Sequence, residues 1–136
     1  MNSRHVFTIA LAAALMLGGA APGRACGHCK EDKIAATYDH AVVTAAKRNG
    51  QTVVYAELKG PITPGAKLES WIQQQVQACT GVVRGTVRTS LQPAALSFAC
   101  DVRQTSVSAA LRSIGEKLAR RGLSVSLIEA QAAPKG

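Results

Sequence analysis

From Glu31 to Arg48 the apolar residues keep helical time: Ile34, Tyr38, Ala41, Val42 and Ala45 fall three and four apart, on one face. Acidic Glu31 and Asp32 open the segment, basic Lys47 and Arg48 close it, and Asn49-Gly50 supplies a stop. The pattern predicts one helix over 31–48. Thr52 to Leu58 is rich in β-formers (Val53, Val54, Tyr55) and predicts a strand, broken by the Gly60 to Gly65 run. Thr63 and Pro64 suit a helix start, and Leu68, Ile72, Val76 and Cys79 line a second helical stripe that Gly81 ends. Val82 to Ser90 alternates Val83, Gly85 and Val87 with Arg84, Thr86 and Arg88, the period of a half-buried strand. Gln92-Pro93 turns the chain into Ala95 to Cys100, where Leu96, Phe98 and Cys100 share a face. Thr105 then caps a helix carrying Val107, Ala110, Leu111, Ile114 and Leu118, and Leu123, Val125 and Leu127 alternate in a last strand.

After the first helix the order is β-α-β-β-α-β. It predicts an α+β fold of the ferredoxin-like kind, a four-stranded antiparallel sheet carrying two helices, preceded by an extra N-terminal helix. Ahead of it lies an export leader by pattern. Arg4 and His5 precede an apolar run from Val6 to Leu17, and Gly23-Arg24-Ala25 offers small residues at a cleavage site. That run is shorter than the ~20 residues a permanent span needs, so no transmembrane segment is expected after cleavage. The expected organisation is a signal peptide over 1–25, a thiol-bearing segment and helix over 26–50, the ferredoxin-like domain over 51–130, and a flexible tail over 131–136. The expected location is periplasmic or secreted.

Charge and composition narrow the function. Arg4 and Arg24 leave with the leader, which takes the net charge from +8 to +6. The cations are scattered, and the mature chain has only Tyr38, Tyr55, Trp71 and Phe98 as aromatics, so the basic face with stacking platforms that nucleic acid needs is not in view. Eight acids give no convincing carboxylate pair, and neither a Ser-His-Asp layout nor a phosphate loop is present. The balance is against an enzyme without deciding it.

The chemistry sits in the cysteines. Cys26-Gly27-His28-Cys29 would open the mature chain just ahead of a helix. Two thiolates at this spacing can converge on a soft ion, with His28 as an auxiliary donor, which makes Cys26, His28 and Cys29 candidate ligands for Cu(I) or Zn²⁺. The same pair can exchange with a disulfide, helped by the helix N-terminus and His28. It can also be a static cross-link on a non-catalytic interaction domain. His40 would lie ~16 Å further along a straight helix, at ~1.5 Å per residue, too far to join Cys29. In the predicted topology Cys79 and Cys100 end a helix and a strand at one edge of the domain, where a disulfide would close a loop of roughly 20 residues and contribute about 3 kcal/mol on the chain-entropy model; two buried unpaired cysteines are the main alternative.

From Gly60 to Ile128 the chain resembles the heavy-metal-associated domains of copper chaperones and metal-pumping ATPases. The likeness rests on Thr80-Gly81-Val82-Val83, Ala95-Leu96-Ser97-Phe98, Asp101 and Gly122. It implies copper handling, with a metal-donor or metal-acceptor protein as partner. Those domains carry their metal on a Cys-x-x-Cys after the first strand; here that loop runs Gly60-Pro61-Ile62-Thr63-Pro64-Gly65-Ala66 and has no thiol. The N-terminal motif would then be a relocated site.

Overall fold

The computed structural model describes residues 29–135. Its elements are α1 (Lys30–Thr37), α2 (His40–Arg48), β1 (Thr52–Lys59), α3 (Ala66–Gln77), β2 (Arg88–Leu91), β3 (Ala94–Cys100), α4 (Val107–Leu118) with a 3-10 turn (Ala119–Arg121), and β4 (Ser124–Gln131). The four strands form one antiparallel sheet in the order β2-β3-β1-β4, so the chain is α+β. The proposed leader lies outside the described residues.

Alternation along the two central strands decides what the sheet can carry. Val54, Ala56 and Leu58 of β1 and Leu96, Phe98 and Cys100 of β3 point to one face, where Ile72 and Val76 of α3 and Ala110, Ile114 and Leu118 of α4 close over them. Val53, Tyr55 and Ala99 point to the other face and pack against Val42, Val43 and Ala46 of α2. The central strands are therefore buried on both sides, which is why they read as nearly unbroken apolar runs. Helices on both faces make three layers. The helical segment expected merely to precede the sheet is its second cover.

That cover is two helices, not the single helix over 31–48 that the periodicity predicts. Tyr38 and Asp39 are extended, with ψ of 132° and 113°. Asp39 is the N-cap of α2: its Oδ1 accepts from the N–H groups of Ala41 (2.9 Å) and Val42 (3.2 Å). Its Oδ2 accepts from Arg88 Nε at 2.9 Å and pairs with Nη2 at 2.8 Å, and Ser97 Oγ donates to the Thr37 carbonyl at 2.6 Å. Contacts with the sheet thus satisfy the backbone and carboxylate at the break, and tertiary structure overrides the local stripe.

The second strand is also shorter than its alternation suggests. Val82 makes only an isolated bridge with Cys100, and Gly85 has φ of +77°, a value that suits glycine. Thr86 Oγ1 donates to the Val83 carbonyl at 2.6 Å and accepts from the Ala99 N–H at 3.0 Å, so a side chain stands in for the ladder. Arg88 turns onto Asp39 and also donates to the Gly85 carbonyl. The helix starts shift too: Gly65 is the N-cap position of α3, and Ser106, not Thr105, caps α4 by accepting from Ala109 N–H at 3.1 Å.

Candidate functional site

Of the candidate ligands Cys26, His28 and Cys29, only Cys29 lies among the described residues. It is exposed and occupies the N-cap position of α1, with φ −70° and ψ 147°. Its carbonyl accepts from the Lys33 N–H at 3.3 Å, so Lys33 follows one turn later. Lys33 is nearly buried, and its Nζ reaches Glu57 Oε1 at 3.2 Å; Lys59 Nζ meets the same oxygen at 3.4 Å. Burial raises the Glu57 carboxyl, but the two lysines bonded to it outweigh burial and leave it below its ordinary value. At the other end of α1 the Thr37 carbonyl meets Ser97. The helix therefore starts toward the β2–β3 hairpin and ends over the middle of the sheet.

The other two thiols sit at the far end. Cys100 pairs with Thr52 in the sheet, whereas Glu57 pairs with Ala95, five residues further along β1 and about 17 Å away at ~3.4 Å per residue. Cys79 and Cys100 belong to the same buried cluster. Both are free thiols here, so the expected disulfide is not formed: Cys79 Sγ donates to the Gln75 carbonyl at 3.4 Å. Burial first, and the Asp101 charge second, push the Cys100 thiol up, which keeps it protonated and unreactive. Four cysteines on one site are excluded by this spacing. In reduced native protein, a maleimide should label Cys29 within minutes, and Cys79 and Cys100 only after denaturant is added. Peptide mapping of the labelled chain reads this; rapid native labelling of Cys100 would contradict its burial.

His40 begins α2, with Nδ1 3.3 Å from the Tyr38 hydroxyl and Nε2 3.5 Å from Thr44 Oγ1, and does not join Cys29. Among the described residues no group of three or more His, Cys, Asp or Glu side chains gathers as a metal centre. Comparison with known proteins leaves the chain on its own geometry. No family model matches it, and no curated protein matches it.

Asp101 has a structural task. Arg103 donates to it from its backbone N–H and its guanidinium, and Gln104 Nε2 donates at 3.1 Å, which fixes the turn from β3 into α4. The Arg103 guanidinium, the largest influence, holds the carboxyl down at about 2. The unfolded chain titrates near ~3.9. The stabilisation is therefore complete above pH ~4 and is lost as pH falls toward 2. Urea midpoints measured from pH 5 to pH 2 should fall more steeply for the wild type than for Asp101→Asn.

The Lys33–Glu57–Lys59 cluster and the Asp39–Arg88 pair were not singled out by the sequence patterns. A signal for each was present. Glu57 and Lys59 are two charges at i and i+2 ending an otherwise apolar strand, and Asp39 directly precedes an Ala-Val-Val helical run after His40.

Proposed function

We propose that the protein is a small exported metal-binding protein that takes Cu(I) or Zn²⁺ on Cys26 and Cys29, with His28 as auxiliary donor. The β-α-β-β-α-β unit from β1 to β4 is then a ferredoxin-like scaffold, related in layout to heavy-metal-associated domains, and its partner is a protein that donates or accepts the ion. The observation that carries this reading is the contrast among the thiols. Cys29 is exposed at the start of α1, three residues after Cys26, while Cys79 and Cys100 are enclosed at the opposite end of the sheet. Any soft ion arriving from solvent meets the N-terminal motif first, and two thiolates with an imidazole suit such an ion.

The test is an anaerobic Cu(I) titration of the reduced mature chain against a colorimetric chelator, beside a Cys26→Ser/Cys29→Ser variant. The wild type should withdraw one equivalent from the chelator and the variant none. Identical behaviour of the two would remove the metal reading and turn attention to thiol–disulfide exchange or a static cross-link.

A further inference from the structure

At the hairpin end of the sheet, beside the start of α1, lies a cavity of about 760 Å³. Its volume is within the range of small-molecule sites. Its charged lining is Lys33, Glu57 and Lys59. Glu57 Oε1 is shared by both ammonium groups, at 3.2 and 3.4 Å, so two positive charges face one negative charge. The Lys33 side chain is only 9% exposed. An ammonium carries three N–H donors, and burying one with a half-shared counter-charge is costly unless the remaining donors are met. Apart from the Gln92 amide, the rest of the lining is mainly apolar, chiefly Leu58, Ile62, Leu91 and Pro93. A surplus cation on one wall and hydrocarbon on the other complement an anion with an apolar tail.

We propose that this cavity binds a small amphipathic carboxylate, its head group on Lys33 and Lys59 and its hydrocarbon tail along Ile62, Leu91 and Pro93. The carboxylate completes the charge balance of the cluster and accepts donors that Glu57 leaves over. The tail removes apolar wall from water. The inference needs neither the cysteines nor a metal ion, so it stands or falls separately from the function proposed above.

Hexanoate and 1-hexanol are the probes, titrated into the ¹⁵N-labelled mature protein and followed by amide chemical shifts. Hexanoate should give saturable shifts at Lys33, Lys59, Leu91 and Ala94, with 1-hexanol at least tenfold weaker. Lys59→Met should weaken hexanoate about tenfold and leave 1-hexanol unchanged. The Lys59 side chain is 66% exposed, so this change removes the charge without opening the core. N-acetylleucine asks whether a peptide C-terminus is the natural source of the carboxylate. The free-acid assignment is overturned if N-acetylleucine binds more tightly than hexanoate at the same amides. The proposal also fails if those amides do not shift, if the two six-carbon probes bind alike, or if Lys59→Met leaves hexanoate binding unchanged.

Discussion

A chain cut to residues 51–136 is expected to lose much of its folding free energy, although it keeps every strand of the sheet. The cut removes α1 and α2 and opens the face on which Val53, Tyr55 and Ala99 are now 3%, 1% and 0% exposed. Burying a large apolar side chain contributes about 1.5–3 kcal/mol. Uncovering Tyr55 and Val53, with a smaller share from Ala99, should therefore cost roughly 4–7 kcal/mol, an upper figure because unfolded chains already bury some surface. Single domains have only about 5–15 kcal/mol in total. Urea unfolding of residues 26–136 and 51–136 decides the matter. The shorter chain should bind a hydrophobic dye and unfold at far lower urea; equal midpoints would make the two helices an appendage.

The second large effect is expected at the Lys33–Glu57 pair. Glu57→Leu leaves the nearly buried Lys33 ammonium without its carboxylate, which should cost about 2–3 kcal/mol, toward the low side for breaking a buried pair because Glu57 is itself 25% exposed. Lys33→Met should cost about 1 kcal/mol, since Glu57 keeps Lys59 as a partner. Combining the two substitutions should cost clearly less than their sum, a coupling of about 1–2 kcal/mol in a double-mutant cycle. Denaturant midpoints at pH 7 measure it. Additive losses would mean that the ammonium is solvated whenever the carboxylate is gone. The coupling should also shrink on acidification. The pair holds Glu57 below its ordinary value, so the contribution is present above the unfolded carboxyl's pKa, near ~4.3, and fades below it.

Much of the fold was legible because periodicity reports burial. The stripe Leu68, Ile72, Val76 and the stripe Ala110, Ile114, Leu118 placed α3 and α4, and the paired strands followed from their β-rich runs. What escaped was what distant residues decide. The break at Tyr38-Asp39 depends on Arg88 and Ser97, some 49 and 60 residues away, and no local stripe encodes them. The shortened β2 depends on Thr86 taking over a ladder bond from Ala99. The double burial of the sheet was written in the sequence, since Val53-Val54-Tyr55-Ala56 and Leu96 to Cys100 alternate poorly, but a continuous apolar strand does not say what covers its second face. Of the candidate site, the motif and its spacing were plain in the sequence, and the structure adds where its last cysteine stands: one turn from Lys33.

Covering both faces has a consequence for how another molecule can approach. An antiparallel sheet commonly leaves one broad face to solvent, a flat platform for recognition. Here α1 and α2 cover the central strands β1 and β3 on that side, and what the sheet still offers is β4, most of whose residues are exposed, and the loops at the two strand ends. A visitor arriving along the strand axis at the hairpin end meets the mouth of the cavity and the head of α1 together; one arriving at the other end meets the Asp101 turn, with the two sealed thiols behind it. Among the described residues, the two ends of the sheet are thus poles of different chemistry.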